Sequence, residues 1–303
     1  MAKLSIFTSA RLSLVVAAGC LLAQPVFAAE GAHTFFAFCM DTHDSQKRTL
    51  EQQAALLEEL GYDGAGHLWL DNLQQRIDTL DAHGLKLFQV YVQVYIAPAA
   101  TPYDARLREA MPLLKDRDVM LALLMKGGSP SDQSGDARAI ALVNEIADMA
   151  APSNVRVVLY PHSGDWLERV EDALRIVQKV NRTDVGIMFN LCHFLKVDQE
   201  ENIRPLLTSA MPHLFAVSVH GADRAAEIHA GTGNWIQPLG SGSFDVGALL
   251  RTLDDLGYRG PIGLQCYGIP GDARNHLTRS IAAWRQILER LEAPSPGAKA
   301  RQE

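Results

Sequence analysis

Eight times along this 303-residue chain, a short apolar stretch rich in β-branched and aromatic residues is followed by a segment with the periodicity of an amphipathic helix. The strand-like stretches read HTFFAFCM, DGAGHLW, KLFQVYVQVYI, DVMLALLMK, VRVVLY, VGIMFN, LFAVSVH and PIGLQCY. The helix-like segments include LEQQAALLEEL, LQQRIDTLDAH, ARLREAMPLLK, AIALVNEIADMA, WLERVEDALRIVQKV, IRPLLTSAM, VGALLRTLDDL and LTRSIAAWRQILERL. Such alternation builds parallel sheets with crossover helices. Eight pairs predict a single-domain α/β fold, the (β/α)8 TIM barrel. The glycines in LEELGYDG, DAHGLK and LDDLGYRG stand where a left-handed residue ends a helix.

The ends of the chain read differently. Residues 1–28 place Lys3 and Arg11 before an apolar run from Leu12 to Ala23, with Val26 and Ala28 at the small-residue cleavage positions, the pattern of a secretory signal peptide. The run is short for a bilayer span and polar sequence follows it, which argues against a permanent membrane helix. An alternative reads VAAGC as a lipoprotein signal with Cys20 acylated. The expected organisation is signal peptide 1–28, barrel 29–292 and flexible tail 293–303, with the product periplasmic or secreted. Loss of Lys3 and Arg11, with no acid removed, would take the formal charge from −7 to −9. An acidic exported protein is a poor nucleic-acid ligand. Cys39, Cys192 and Cys266 remain, an odd number that allows at most one internal disulfide.

In a barrel of this kind, chemistry gathers at the C-terminal ends of the strands. Those positions hold His67, Gln93, Lys126, Tyr160, His162, Asn190, His193, His220, Asp223 and Gln265. Alternation along a strand puts residues two apart on one face. If His220 points inward, so do Ser218 and Ala216, while Val219, Val217 and Phe215 face the helices. Tyr160 likewise goes with Val158, Asn190 with Met188 and Gly186, and Tyr95 with Gln93, Tyr91 and Gln89. Any one of these residues could be structural. Seven strands offering polar ends to one mouth is hard to explain by packing alone.

From Val155 to Tyr267 the stretches VVLYPH, VGIMFNLCHF, LFAVSVHGAD, PLGSGSFDVGALLRTLDDLGYRG and IGLQCYG resemble the xylose-isomerase-like TIM barrels, the sugar phosphate isomerase and epimerase group. The resemblance implies a metal site of Glu, Asp, His and Glu on strands five to eight. This sequence has Tyr160, Asn190, His220 and Gln265 at those positions, so only the histidine is kept. His162 and His193 match further histidines of the family pattern. With three acids gone, Mg²⁺ or Mn²⁺ is not expected; a metal, if any, would be a borderline ion such as Zn²⁺, Co²⁺ or Ni²⁺ on His162, His193 and His220.

With export expected from the signal peptide, the resemblance implies an enzyme acting on a small-molecule carbohydrate, moving a proton next to the carbonyl of a keto-sugar. The outcome would be epimerisation, isomerisation or β-elimination of a 3-keto-glycoside. His162, His193, His220 and Lys126 are the candidate proton carriers. Tyr160, Asn190 and Gln265, with His67, Gln93 and Asp223, would orient the substrate. The alternative is a sugar-binding barrel that lost catalysis along with the metal site. The signal peptide carries the first testable expectation: intact-mass measurement of the exported protein should place its N-terminus at Ala29, and an uncut chain or a diacylglyceryl group on Cys20 would refute it.

Overall fold

The computed structural model describes residues 33–98 and 101–293. The expected signal peptide and the expected tail, apart from Ala293, lie outside the described residues. All eight expected strands form: β1 (Phe35–Phe38), β2 (Gly64–Leu68), β3 (Lys86–Tyr95), β4 (Met120–Lys126), β5 (Arg156–Leu159), β6 (Val185–Asn190), β7 (Leu214–Val219) and β8 (Ile262–Gln265). Each pairs in parallel with the next. β1 pairs with β8 from Phe35↔Ile262 to Phe38↔Gln265, which closes the barrel.

The helices around it are α1 (Leu50–Leu60), α2 (Leu73–Ala82), α3 (Leu107–Leu114), α4 (Asp136–Ala150), α5 (Val170–Val180), α6 (Leu191–Val197), α7 (Ile203–Ala210), α8 (Ala225–His229), α9 (Val246–Asp255) and α10 (Ala273–Glu292). α1 shows how local sequence sets the boundaries. Thr49 Oγ1 accepts the Gln52 N–H at 3.3 Å while Gln52 Oε1 accepts the Thr49 N–H at 3.0 Å, a reciprocal cap. At the other end Gly61, at φ 80°, makes the left-handed turn toward β2.

α5 starts at Val170, four residues later than its periodicity suggests. Trp166 belongs instead to the preceding loop, buried and donating Nε1–H to the Asp132 carbonyl at 2.7 Å. The helix is capped by Asp172, whose carboxylate accepts the Arg169 N–H at 3.0 Å. α6 and α8 have no counterpart in the sequence reading, being too short to display a period.

Burial separates into an outer and an inner layer. Val90, Val92, Val94, Val217 and Val219 pack outward against the helices. Phe36, Phe88, Tyr91, Val158, Met188 and Ala216 fill the barrel interior, where Phe36 and Phe88 stack with centroids 4.6 Å apart. This is the alternation the sequence predicts, except at Phe88, which a register shift between β2 and β3 skips and turns inward, and at Phe215. Expected to face the helices, Phe215 packs against the inner cluster instead. The cause is a register shift: Ile187 pairs with Leu214 but Met188 pairs with Ala216, so Phe215 is skipped and its parity is reversed. Its ring covers Gly186, where a Cβ would come within 2.4 Å of the ring.

The three described cysteines are free and buried, and burial pushes each thiol well above its ordinary range. Among the described residues no helix is long and apolar enough to cross a membrane. The Gly186–Phe215 contact carries the fold prediction. Gly186→Val should lower stability by about 1–3 kcal/mol through overpacking, read as a lower urea midpoint with an unchanged m-value. An unshifted midpoint would show that the ring does not fill that space.

Candidate active site

A cavity of about 410 Å³ opens at the C-terminal ends of the strands. Its floor carries Tyr91, Gln93, Tyr160 and Gln265, and its sides carry Lys126, His162, His193 and Lys196. The β6 strand runs directly into α6, which puts His193 and Lys196 three residues apart on one helical face, both on the cavity wall. Trp235 and Ile236 close the side opposite the barrel. They arrive on a loop folded back by two hydrogen bonds between Gly221 and Gln237, at 3.0 and 2.7 Å. Glycine is required at 221 because a Cβ there would lie 2.1 Å from the Pro238 carbonyl oxygen. The Lys196 ammonium sits 3.5 Å from the centroid of the Trp235 ring, a cation–π contact between the two walls.

The imidazoles of His162 and His193 lie with ring centroids 3.9 Å apart, tilted by 42°. Their surroundings differ. His193 Nδ1 accepts the backbone N–H of Ser163 at 3.3 Å, with Ser163 Oγ 3.1 Å away. A backbone N–H can only donate, so neutral His193 carries its proton on Nε2. Burial, and then the charge of His162, hold its pKa well below the ordinary value, keeping the ring neutral.

His162 instead turns its buried Nδ1 toward Asp165 Oδ2 at 3.4 Å, a charge contact in which neither atom makes a hydrogen bond, while a third of the side chain (33%) stays open. The same carboxylate oxygen lies 3.7 Å from Lys126 Nζ. Burial lowers the pKa of His162 and raises that of Asp165, and their mutual attraction only partly offsets either change.

Beneath the histidines the Tyr160 hydroxyl is a point of convergence. It accepts hydrogen bonds from Asn190 Nδ2 and, at 3.3 Å, from Gln265 Nε2. Asn190 Oδ1 in turn accepts from the Cys192 thiol at 3.0 Å, and Gln265 Oε1 accepts the Tyr267 N–H at 3.1 Å. Burial raises the Tyr160 pKa well above its ordinary value, so the phenol stays protonated.

The structure therefore brings Lys126, Tyr160, His162, His193, Gln93 and Gln265 to one cavity, with Asn190 supporting Tyr160 from behind. Three expected residues are placed elsewhere. His67 turns away from the barrel axis: its Nε2 donates to the Asp71 carbonyl at 2.8 Å and its Nδ1 accepts from buried Arg76 at 3.4 Å. Asp223 organises the loop after β7, accepting the N–H groups of Asn234 at 2.8 Å and Ser243 at 3.2 Å. His220 is wholly buried, donates Nδ1–H to the Gly221 carbonyl at 2.8 Å, and does not reach the cavity wall. Its Nε2 lone pair has no hydrogen-bond partner, and burial lowers its pKa to about 4. Sequence reading missed Asp165, Lys196, Trp235 and Trp69; only Lys196 had a signal, its spacing of three from His193.

The model of the xylose isomerase-like TIM barrel family matches residues 54–293. The chain belongs to that family. Solved members of similar fold include an L-ribulose 3-epimerase (14% identity, TM-score 0.68, covering 86% of this chain and 96% of that one). A second is the 3-keto-D-glucoside 4-epimerase of E. coli (15%, 0.66, 84% and 100%). A third is a Mycobacterium smegmatis family member in complex with magnesium (14%, 0.64, 88% and 100%). No protein of curated function matches the sequence.

Magnesium does not fit the donors present here. Mg²⁺ takes carboxylate and water oxygens, whereas Asn190 and Gln265 direct amide N–H groups at the Tyr160 oxygen. The three-histidine set expected for Zn²⁺, Co²⁺ or Ni²⁺ does not form either. His162 and His193 lean ring against ring instead of aiming nitrogens at one point, and His220 is tied to its own strand end. Among the described residues no three His, Cys, Asp or Glu side chains are grouped to hold a metal. Elemental analysis after dialysis should accordingly find no stoichiometric Mg²⁺ or Mn²⁺; one retained equivalent, lost in His220→Ala, would overturn this reading.

Proposed function

We propose that this family member is an exported enzyme that moves a proton at the carbon next to the carbonyl of a keto-sugar, as an epimerase, isomerase or β-eliminating lyase. The observation that carries the reading is the unlike pair of imidazoles, His162 backed by Asp165 and His193 fixed as a neutral donor, at one cavity. Similarity of fold to the ribulose and keto-glucoside epimerases supports the substrate class. A sugar-binding barrel would have no use for two histidines poised in opposite roles.

The roles follow from the protons. With Nδ1 turned to Asp165, His162 offers its other nitrogen as a base to a substrate C–H. Its lowered pKa keeps that nitrogen free at neutral pH. As the C–H bond breaks, its electron pair moves toward the carbonyl and charge collects on the oxygen. His193 Nε2–H and the Lys126 ammonium are the donors available to stabilise that oxygen. Tyr160 and Gln265 fix the sugar from below. A proton delivered to the same carbon from the other face, by a donor other than His162, gives an epimer; a proton delivered to the former carbonyl carbon, while the hydroxyl on the first carbon gives up its proton and becomes the new carbonyl, gives an isomer. Loss of a β-substituent instead completes an elimination.

His162→Ala and His193→Ala should each reduce turnover about 10²–10⁴-fold, followed as solvent deuterium exchange next to the ketone by NMR. Because the active form of His162 is neutral and its pKa is lowered, the rate should hold as pH falls to 6.5 and drop only below it. In Asp165→Asn, a change at a positioning residue, the acid limb should move lower still, since the lost carboxylate favoured the imidazolium. Sugar binding without exchange in the wild-type protein would refute the proposal.

A further inference from the structure

Beside the reaction cavity lies a second one, of about 460 Å³, formed by the segments that follow β2 and β3. Trp69, Tyr91 and Gln93 line both, so the two are lobes of one depression with a common wall. The far wall of the second lobe carries Tyr95 and Tyr103, with Asp71, Asp104 and Arg106 at its edge. We infer that this lobe is a binding subsite for a second, non-reacting sugar ring, so that the substrate is a glycoside of at least two rings. The inference rests on the reading of the first lobe as the reaction site for a keto-sugar.

The chemistry of the lining selects this ligand. A pyranose has apolar C–H faces and an equatorial belt of hydroxyls, and it is uncharged. Trp69, Tyr95 and Tyr103 supply aromatic surface for the faces. Gln93, Asp71, Asp104 and Arg106 supply donors and acceptors for the belt. Arg106 is already engaged by two carboxylates, with Nε–H donating to Asp104 Oδ2 at 3.0 Å and Nη1 to Asp71 Oδ1 at 2.8 Å. The cluster therefore carries a net negative charge, which disfavours a phosphate or carboxylate ligand. The lobe has no imidazole, thiol or lysine on its wall. It can hold a ring and do nothing to it.

Backbone conformation adds a further indication. Trp69, at the end of β2, sits at φ 65°, in the left-handed region that a bulky side chain rarely adopts. Its N–H donates to the Tyr91 carbonyl at 3.1 Å, which ties the turn to β3. The strained turn is held so that the indole divides the two lobes, and strain of this kind collects at ligand sites.

Calorimetry with the full-length mature protein tests the inference through a ratio of affinities. The probes are cellobiose, maltose, sucrose and trehalose, each with and without oxidation at C3, against glucose and 3-keto-glucose. At least one disaccharide should bind about tenfold more tightly than its matching monosaccharide, the increment of one or two net contacts. That ratio should fall toward one in Tyr103→Ala and in Arg106→Ala, the latter an exposed position where truncation leaves the fold intact. If no disaccharide outbinds its monosaccharide, or neither sugar binds, or the preference survives in both variants, the subsite is refuted. The proton-transfer reading fails separately: a disaccharide preference without deuterium exchange would remove the chemistry and keep the subsite, and exchange without a preference would do the reverse.

Discussion

Closure of the sheet is the constraint on which everything at the mouth depends. Because β1 pairs with β8 over Phe35 to Phe38, no strand has a free edge, and the strand ends are held around a common opening. Side chains at the ends of β6 and β8 and directly after β5 are then brought together. Tyr160, Asn190 and Gln265 meet, from three different strand ends, on one phenolic oxygen. A closed barrel turns separate sequence positions into a single chemical environment.

That environment is neutral, made of two amides and a phenol. Carboxylates at these positions would repel one another unless a metal lay between them; amides and a phenol satisfy each other directly. The charged groups lie on the wall above, at Lys126, Asp165 and Lys196. The ionisable groups that remain low in the mouth, His193 and His220, are kept neutral by burial. The floor is thus a hydrogen-bonded platform, and the groups with charge stand on the wall above it.

The fold was legible in the sequence because both of its periods, two for strands and 3.6 for helices, are expressed over most of the chain. Phe215 broke the pattern through a register shift, which depends on the pairing of β6 with β7 and leaves no trace in either strand alone. The cavity lining was legible where a residue ends a strand or follows it directly, as for Lys126, Tyr160 and Gln265, and for His162 and His193 through the family resemblance. Asp165 and Trp235 lie in loops, where position is decided by contacts far along the chain, such as the indole of Trp166 seated on Asp132. His67 and His220 end strands as expected, yet their ring nitrogens are directed to nearby backbone carbonyls. A strand end specifies where a side chain begins and leaves open which partner it finds.

The loop that carries Trp235 is joined to the barrel in an uncommon way. Its attachment is made by backbone groups at Gly221 and Gln237 and by Asp223, which holds Asn234, while the part that meets the cavity is made by the side chains of Trp235 and Ile236. Anchorage and recognition are therefore separately heritable. Substitutions at 235 and 236 can reshape the outer wall without disturbing the hydrogen bonds that hold it, whereas position 221 admits only glycine. The outer wall of the cavity can therefore be changed at two residues while the barrel beneath them stays as it is.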